Sequence, residues 1–336
     1  MIKANNGAIK KAREYVKNYP KVKDYTLAKK LYTDYPQLFA SFESARYRIR
    51  YIRGHAGDTH REEASKDLQT PLNYDTRNTF TGFTSLAPKL QIFNLPTSIR
   101  KVLFLSDIHL PYQDNDTLLE ALEFGRKEKV DCIWLNGDIM DMFQASVHEK
   151  LPSKADIRYE IDFTKDFFKR LRKIFPTQAI YFKEGNHEVR WRRYLMRKAP
   201  EVIEMAEFHL EEILQLNFFK IHWIPNDFLC KFGKLNVIHG NEFKGGGGIH
   251  PARVLYNKAK TDIVAGDKHK TDKSITTDID GKVTQVFSVG CLCDLNPEYF
   301  IMGHTQWNHG FAMVELDSNG EDFQFHNKRI HKGKIL

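Results

Sequence analysis

The sequence predicts an α/β fold preceded by a small all-α domain, and three observations predict it. From residue 101 to residue 238, short apolar runs of strand length alternate with longer amphipathic stretches of helical period. Helical periodicity with no strand-like run fills residues 8–53. Between the two lies a polar stretch, residues 55–88, rich in Asp, Thr, Asn and Gly and without clear period, which reads as a linker or extended arm. A chain of 336 residues also fits two domains by length. The expected division is a helical module over 1–54, the linker over 55–88 and the α/β domain over 89–336.

Each element follows from local pattern. Residues 8–18 carry Ala8, Ile9, Ala12, Tyr15 and Val16 at helical spacing. Thr26 is placed to cap a short helix through Leu31 and Tyr32, and Pro36 opens the next. Residues 37–53 put Phe42, Ala45, Ile49 and Ile52 on one stripe. Arg46, Arg50 and Arg53 share an adjacent face, Arg48 lies elsewhere, and Gly54 is a stop signal. Short helices ending in an Arg-rich one read as a helix-turn-helix-like unit for nucleic acid, contacted through Arg46, Arg48, Arg50 and Arg53. They read equally well as a basic helical cap on the following domain. In that domain, strands are expected over 101–106, 130–135, 179–182 and 235–238. Helices are expected over 115–128, 159–175 and 190–205.

Composition narrows the function classes. Hydrophobic content of 41% and charged content of 28% are those of a globular protein. No apolar run approaches the ~20 residues that span a bilayer, and residues 1–6 lack a signal-peptide core. Cys132, Cys230, Cys291 and Cys293 are too few and scattered for a disulfide framework. Cys291 and Cys293 have no matching pair elsewhere, which argues against a thiolate metal site. A reduced, cytoplasmic location, with no membrane partner, is expected. The net charge of +8 is localised: residues 1–60 hold 8 Lys and 5 Arg against 5 acidic residues, and the remainder balances to zero.

Four strings at or near strand ends carry the chemistry. They are Asp107-Ile108-His109, Gly137-Asp138-Ile139-Met140-Asp141, Gly185-Asn186-His187-Glu188 and Ile238-His239-Gly240. Carboxylate, imidazole and amide oxygen are ligands for hard or borderline divalent cations rather than for a thiolate zinc site. Ligands of α/β sheets gather beyond the strands' carboxyl ends. Each string alone is a weak signal, but the four in this order converge.

Over roughly residues 100–315 the chain resembles the calcineurin-like metallophosphoesterase superfamily in its phage and bacterial form. The resemblance implies a layered β-sandwich flanked by helices. It also implies two divalent ions, with Mn²⁺ expected and Mg²⁺, Zn²⁺, Fe²⁺ or Ni²⁺ as alternatives. Asp107 and His109 would hold one ion, Asp138 would bridge both, and Asn186 and His239 would hold the second. His187 would bind neither and act as general acid, positioned by Asp141. A hydroxide between ions ~4 Å apart would attack phosphorus in line.

The family's last motif, Gly-His-x-His, is altered here. Its best match is Gly266-Asp267-Lys268-His269, where His269 would complete the first shell and Asp267 would stand in for the second ion's histidine. A carboxylate there favours Mn²⁺ or Mg²⁺. Gly303-His304-Thr305 is the competing match, with Gln306 where a histidine is needed. Arg190 and Arg193 are candidate phosphate clamps or a solvated helix face. Lys244 precedes four glycines and is not a P-loop lysine. His148, His209, His222, His250 and His326 lack a ligand context.

No Arg-Gly follows Asp141, so the Ser/Thr phosphatase signature is absent. The expected activity is a phosphodiesterase or nuclease whose basic module holds nucleic acid. The alternatives are a phosphatase or diesterase acting on small nucleotides or phosphoproteins, and a DNA-binding protein with a degenerate metal site.

Overall fold

The computed structural model describes residues 6–56, 86–87, 89–147, 156–245, 248–297 and 304–336. Most of the linker stretch, His148 and Gly303 lie outside the described residues. The chain forms two compact units, Met1–Ala87 and Pro88–Leu336. No helix among the described residues is long and apolar enough to cross a membrane.

Among the described residues the first unit holds three α-helices, α1 (Asn6–Asn18), α2 (Asp24–Asp34) and α3 (Phe42–Ile52). Ala12, Leu27, Ala28, Leu31, Ala45 and Ile49 form its buried core, at the spacing their periodicity requires. Thr26 is not a cap: it lies inside α2, which begins at Asp24 without a side-chain cap. Asp24 is occupied elsewhere, by Arg53 at 2.8 Å and His55 at 2.8 Å. Likewise α3 starts later than expected, with Ser41 Oγ accepting from the Ser44 N–H at 3.2 Å.

The second unit is a sandwich of two sheets. The larger has order β13-β12-β11-β2-β3-β4-β5. Its strands are β2 (Lys101–Leu105), β3 (Cys132–Leu135), β4 (Ala179–Lys183), β5 (Ile221–Ile224), β11 (His309–Leu316), β12 (Phe323–His331) and β13 (Lys334–Ile335). β2 through β5 are parallel, while β11 runs antiparallel to β2 and β12. The smaller sheet has order β1-β6-β7-β8-β10-β9. It comprises β1 (Gln91–Asn94), β6 (Phe228–Phe232), β7 (Leu235–Val237), β8 (Ile263–Ala265), β9 (Asp272–Thr277) and β10 (Val283–Ser288).

Alternation in the central strands sorts side chains between two cores. Val102, Phe104, Cys132, Trp134 and Tyr181 pack with Phe232, Val237 and Val264 of the other sheet. Leu103, Leu105, Ile133, Leu135, Ile180 and Phe182 face the opposite way. There they meet Leu118 and Leu122 of α4 (Asn115–Lys127) and Phe168 and Leu171 of α5 (Ile157–Ile174). Asp114 and Asp156 cap these helices, accepting from the Thr117 and Tyr159 N–H groups. Then follow α6 (Asn186–Lys198), α7 (Leu210–Ile213) and α8 (Pro251–Ala259). The helix expected over 190–205 starts instead at Asn186 and stops at Lys198, so the Gly-Asn-His-Glu string forms its first turn.

Candidate metal centre

Five strands deliver the candidate residues. Asp107 and His109 follow β2, Asp138 follows β3, Asn186 and His187 follow β4, His239 follows β7, and Asp267 and His269 follow β8. The first three strands belong to one sheet and the last two to the other. The loops after β2 and β3 run side by side: the Asp107 N–H donates to Gly137 O and the His109 N–H to Asp138 O, at 3.2 and 3.0 Å. Asp107, His109, Asp138, Asp267 and His269 all adopt left-handed backbone, with φ between 52° and 59°. Each such residue costs on the order of 1 kcal/mol or more and is held by its surroundings. Gly185 has no Cβ for a simple reason: one would overlap Asp138 Oδ1 and the Asp138 amide.

The side chains converge. His269 Nε2 lies 3.2 Å from Asp107 Oδ1 and 3.3 Å from His109 Nε2. His239 Nε2 lies 3.2 Å from Asp138 Oδ1 and 3.9 Å from Asp267 Oδ1. Asp138 Oδ2 is 3.9 Å from His109 Nε2. Asp107, His109, Asp138, His239 and His269 are all buried. Burial works to raise the pKa of Asp107, but the facing His269 and His239 overcome it and hold the carboxyl below its usual range. Asp138 is held well below, against burial, by His187, His239 and His109. The same pairings raise His239 and His269 against the effect of burial.

Neighbouring groups fix which atoms face inward. His239 Nδ1–H donates to Asn136 O at 2.7 Å, and Asn136 Nδ2 donates to Ile238 O at 3.0 Å, leaving His239 Nε2 for the centre. Glu188, missed as a working residue by sequence reasoning, accepts four backbone N–H groups. They come from Asp138, Ile139, Met140 and Gly185, all within 3.0 Å. Behind the loop, Glu160 of α5 accepts from the Met142 N–H at 2.8 Å. Burial and the Asp141 carboxylate push Glu160 up to about 8.

The donor set fits divalent cations. Among the described residues three groups are close enough to hold an ion: Asp107, Asp138 and His239; His109, Asp138 and His187; and His109, His269 and Cys293. Asn186 Oδ1 and His239 Nε2 are buried without a hydrogen-bond partner, orphans that an ion would satisfy. Cys293, whose lack of a matching pair argues against it as a ligand, stands in the last of these groups. Its Sγ sits 3.9 Å from His269 Nδ1.

The geometry bears on several of the expected roles. His187 is tied to Asp141, but its Nδ1–H donates to the backbone carbonyl at 2.7 Å, with the carboxylate at 3.5 Å. Its Nε2 lies 2.8 Å from Arg190 Nη2, within hydrogen-bond reach. Arg193 lies one turn beyond Arg190 and is exposed, away from the His187 contact. His304 is exposed and belongs to none of the ion-holding groups.

The Arg-rich helix is also divided. Arg53, expected on the nucleic-acid face, is instead an internal staple: its guanidinium donates to Val22 O at 2.6 Å, Tyr19 O at 2.9 Å and Asp24 Oδ1 at 2.8 Å. Arg46 pairs with Glu43 at 3.3 Å and lies over the Tyr25 ring. Arg50 is exposed and Arg48 half-buried.

Hard and borderline ligands gathered at strand ends mark a metalloenzyme. Its kind is given by sequence: residues 100–308 match the calcineurin-like phosphoesterase family, and the chain belongs to it. It is therefore a metal-dependent phosphoesterase, and the family implies a pair of divalent ions. The Gene 54 protein of Mycobacterium phage D29 is 26% identical over 237 residues, covering 66% of this chain and 90% of that protein. Among solved structures, Vacuolar Protein Sorting 29 from Cryptosporidium parvum is 14% identical, with 71% and 95% of the two chains covered and a TM-score of 0.38. A dimetal phosphatase from Danio rerio is 12% identical, with 68% and 99% covered and a TM-score of 0.32.

Proposed function

We propose that this phosphoesterase hydrolyses phosphodiesters in nucleic acid. In this reading Asp107, His109, Asp138 and His269 hold one ion, and Asp138, Asn186, His239 and Asp267 hold the other. The observation that carries the hydrolytic part is the pair of buried lone-pair atoms without a hydrogen-bond partner, Asn186 Oδ1 and His239 Nε2. When bound, the two ions polarise a phosphoryl oxygen and acidify water. Oxygen ligands from Asp107, Asp138, Asn186 and Asp267 favour Mn²⁺ or Mg²⁺.

The chain's own groups do the rest. Arg190, held to Asp141 O at 2.8 Å, is drawn onto the phosphoryl oxygens of the substrate. That frees His187 Nε2 to carry a proton to the leaving oxygen while Asp141 O keeps Nδ1–H in place. Arg193 is an outer phosphate contact on the same helix.

Nucleic acid is favoured by the placement of charge. The whole net excess of +8 falls within residues 1–60. Such a module supplies sequence-independent affinity for phosphates. On α3 this role rests on Arg48 and Arg50, with Tyr47 half exposed at 51% between them. In an Arg48→Glu, Arg50→Glu double variant, cleavage of long DNA should fall at least tenfold, with a shallower salt dependence. Hydrolysis of bis(p-nitrophenyl) phosphate should stay within twofold. Equal loss on both substrates rejects the role of the module. The internal use of Arg53 favours the second reading, hydrolysis of small nucleotides, which predicts no DNA-specific loss.

A further inference from the structure

Beside the ion-holding residues is a cleft that the hydrolytic reading leaves unused. It encloses about 400 Å³ and is walled by Lys268, Lys270, Ile249, His304, Gln306 and Trp307. It adjoins the centre through Lys268, which sits between Asp267 and His269, and through Trp307, whose ring lies 4.1 Å from that of His269, centroid to centroid, at 64°.

Two features give the cleft its chemistry. Lys270 Nζ donates to Gly248 O at 2.8 Å and to Gln306 Oε1 at 2.7 Å. Both acceptors are neutral, and among the described residues no carboxylate pairs with this ammonium. Its charge is therefore fixed in position and uncompensated, unlike that of Lys268, which is bound to Asp267 at 2.5 Å. The second feature is Trp307, half-buried against His269 with part of its indole lining the cleft. A π-face next to a held cation is what a nucleotide demands: the base stacks and the following phosphate pairs with the ammonium. A simple monoester would occupy the ion-binding centre and leave 400 Å³ unfilled.

We propose that this cleft is a subsite for the nucleotide flanking the scissile phosphodiester, with Trp307 against its base and Lys270 on its outer phosphate. The proposal rests on the nucleic-acid reading above and adds to it. It makes the centre selective for phosphodiesters that continue into a second phosphate, independently of the N-terminal module.

The test uses the full chain loaded with Mn²⁺ and small substrates. Each is thymidine with a p-nitrophenyl phosphodiester on one hydroxyl, with or without a free phosphate on the other, in both polarities. In one polarity, the second phosphate should raise kcat/KM of the wild type at least tenfold. That ratio should fall to near one in Lys270→Ala and be largely kept in Lys270→Arg. A ratio near one in the wild type, or one kept in Lys270→Ala, overturns the subsite. If the wild type hydrolyses none of these substrates, the hydrolytic reading fails by itself. Calorimetric titration with thymidine 3′,5′-bisphosphate then decides the subsite. At least tenfold weaker binding in Lys270→Ala sustains it, and equal binding in both proteins overturns it.

Discussion

The Asp138 backbone N–H donates to Glu188 Oε2 at 2.9 Å, tying the loop that carries the central carboxylate to the first turn of α6. Glu188 Oε1 takes the next two amides of the same loop, Ile139 and Met140. A buried carboxylate accepting this many N–H groups sets the loop's path as a helix cap sets a helix end. In Glu188→Gln one of the two positions presents an NH₂ to backbone donors. Each buried N–H left without an acceptor costs roughly 1–3 kcal/mol. Thermal unfolding should move down by several degrees, and Mn²⁺ stoichiometry, measured by equilibrium dialysis, should fall below two per chain.

His187 is assigned a proton-delivery role, so its importance should track the leaving group. With p-nitrophenolate, which departs without a proton, His187→Ala should lose less than about tenfold in kcat. With a nucleoside leaving group the loss should reach roughly 10²–10⁴-fold, the usual range for general acid catalysis. Comparing the two esters on one variant checks this. Equal losses on both would show that the ring only positions Arg190.

Ion binding must displace protons from the centre. With no ion present, His239 and His269 are held above their ordinary values by the carboxylates they face. A raised histidine stabilises the fold below its unfolded value, and that contribution is lost as pH rises through the folded one. The ion-free protein should therefore lose stability on going from pH 6 toward pH 9, while Mn²⁺ affinity rises over the same interval. At a hundredfold excess over Kd, each ion adds about 2.7 kcal/mol. Differential scanning calorimetry with EDTA and with Mn²⁺ should show the gap between the two melting curves widening with pH. A gap that narrows contradicts the assignment.

Glu160 gives a separate signature. With its folded value raised to about 8, the folded state binds the extra proton, and its stabilising effect disappears as pH climbs from about 4.5 through about 8. The amount at stake is on the order of a few kcal/mol. Glu160→Gln removes that titration and should flatten the fall in melting temperature between pH 5 and pH 8, read in the ion-free protein. An unchanged slope would exclude Glu160 as its source.

How far the sequence foretold this arrangement depended on whether a residue's partners were local. Asp107, Asp138 and His239 could be placed because each follows an apolar run that ends in a tight turn. Glu188 stood in view within Gly-Asn-His-Glu, but its four partners include amides about fifty positions away, which no local pattern reveals. Cys293 follows β10, whose Thr284 and Gln285 hide its strand character, and the polar alternation of β9 and β12 hides theirs. Arg53 misled for the opposite reason. Its spacing put it beside Arg46 and Arg50, while the carbonyls it satisfies belong to the turn between α1 and α2, across the bundle.

The donors descend from both layers: Asp107, Asp138 and Asn186 from the larger, His239 and Asp267 from the smaller. In the proposed assignment each ion draws ligands from both layers and would work as a rivet through the rim of the sandwich. Prying the layers apart and emptying the centre become one event, so pulling on the chain should eject the ions before any strand peels away.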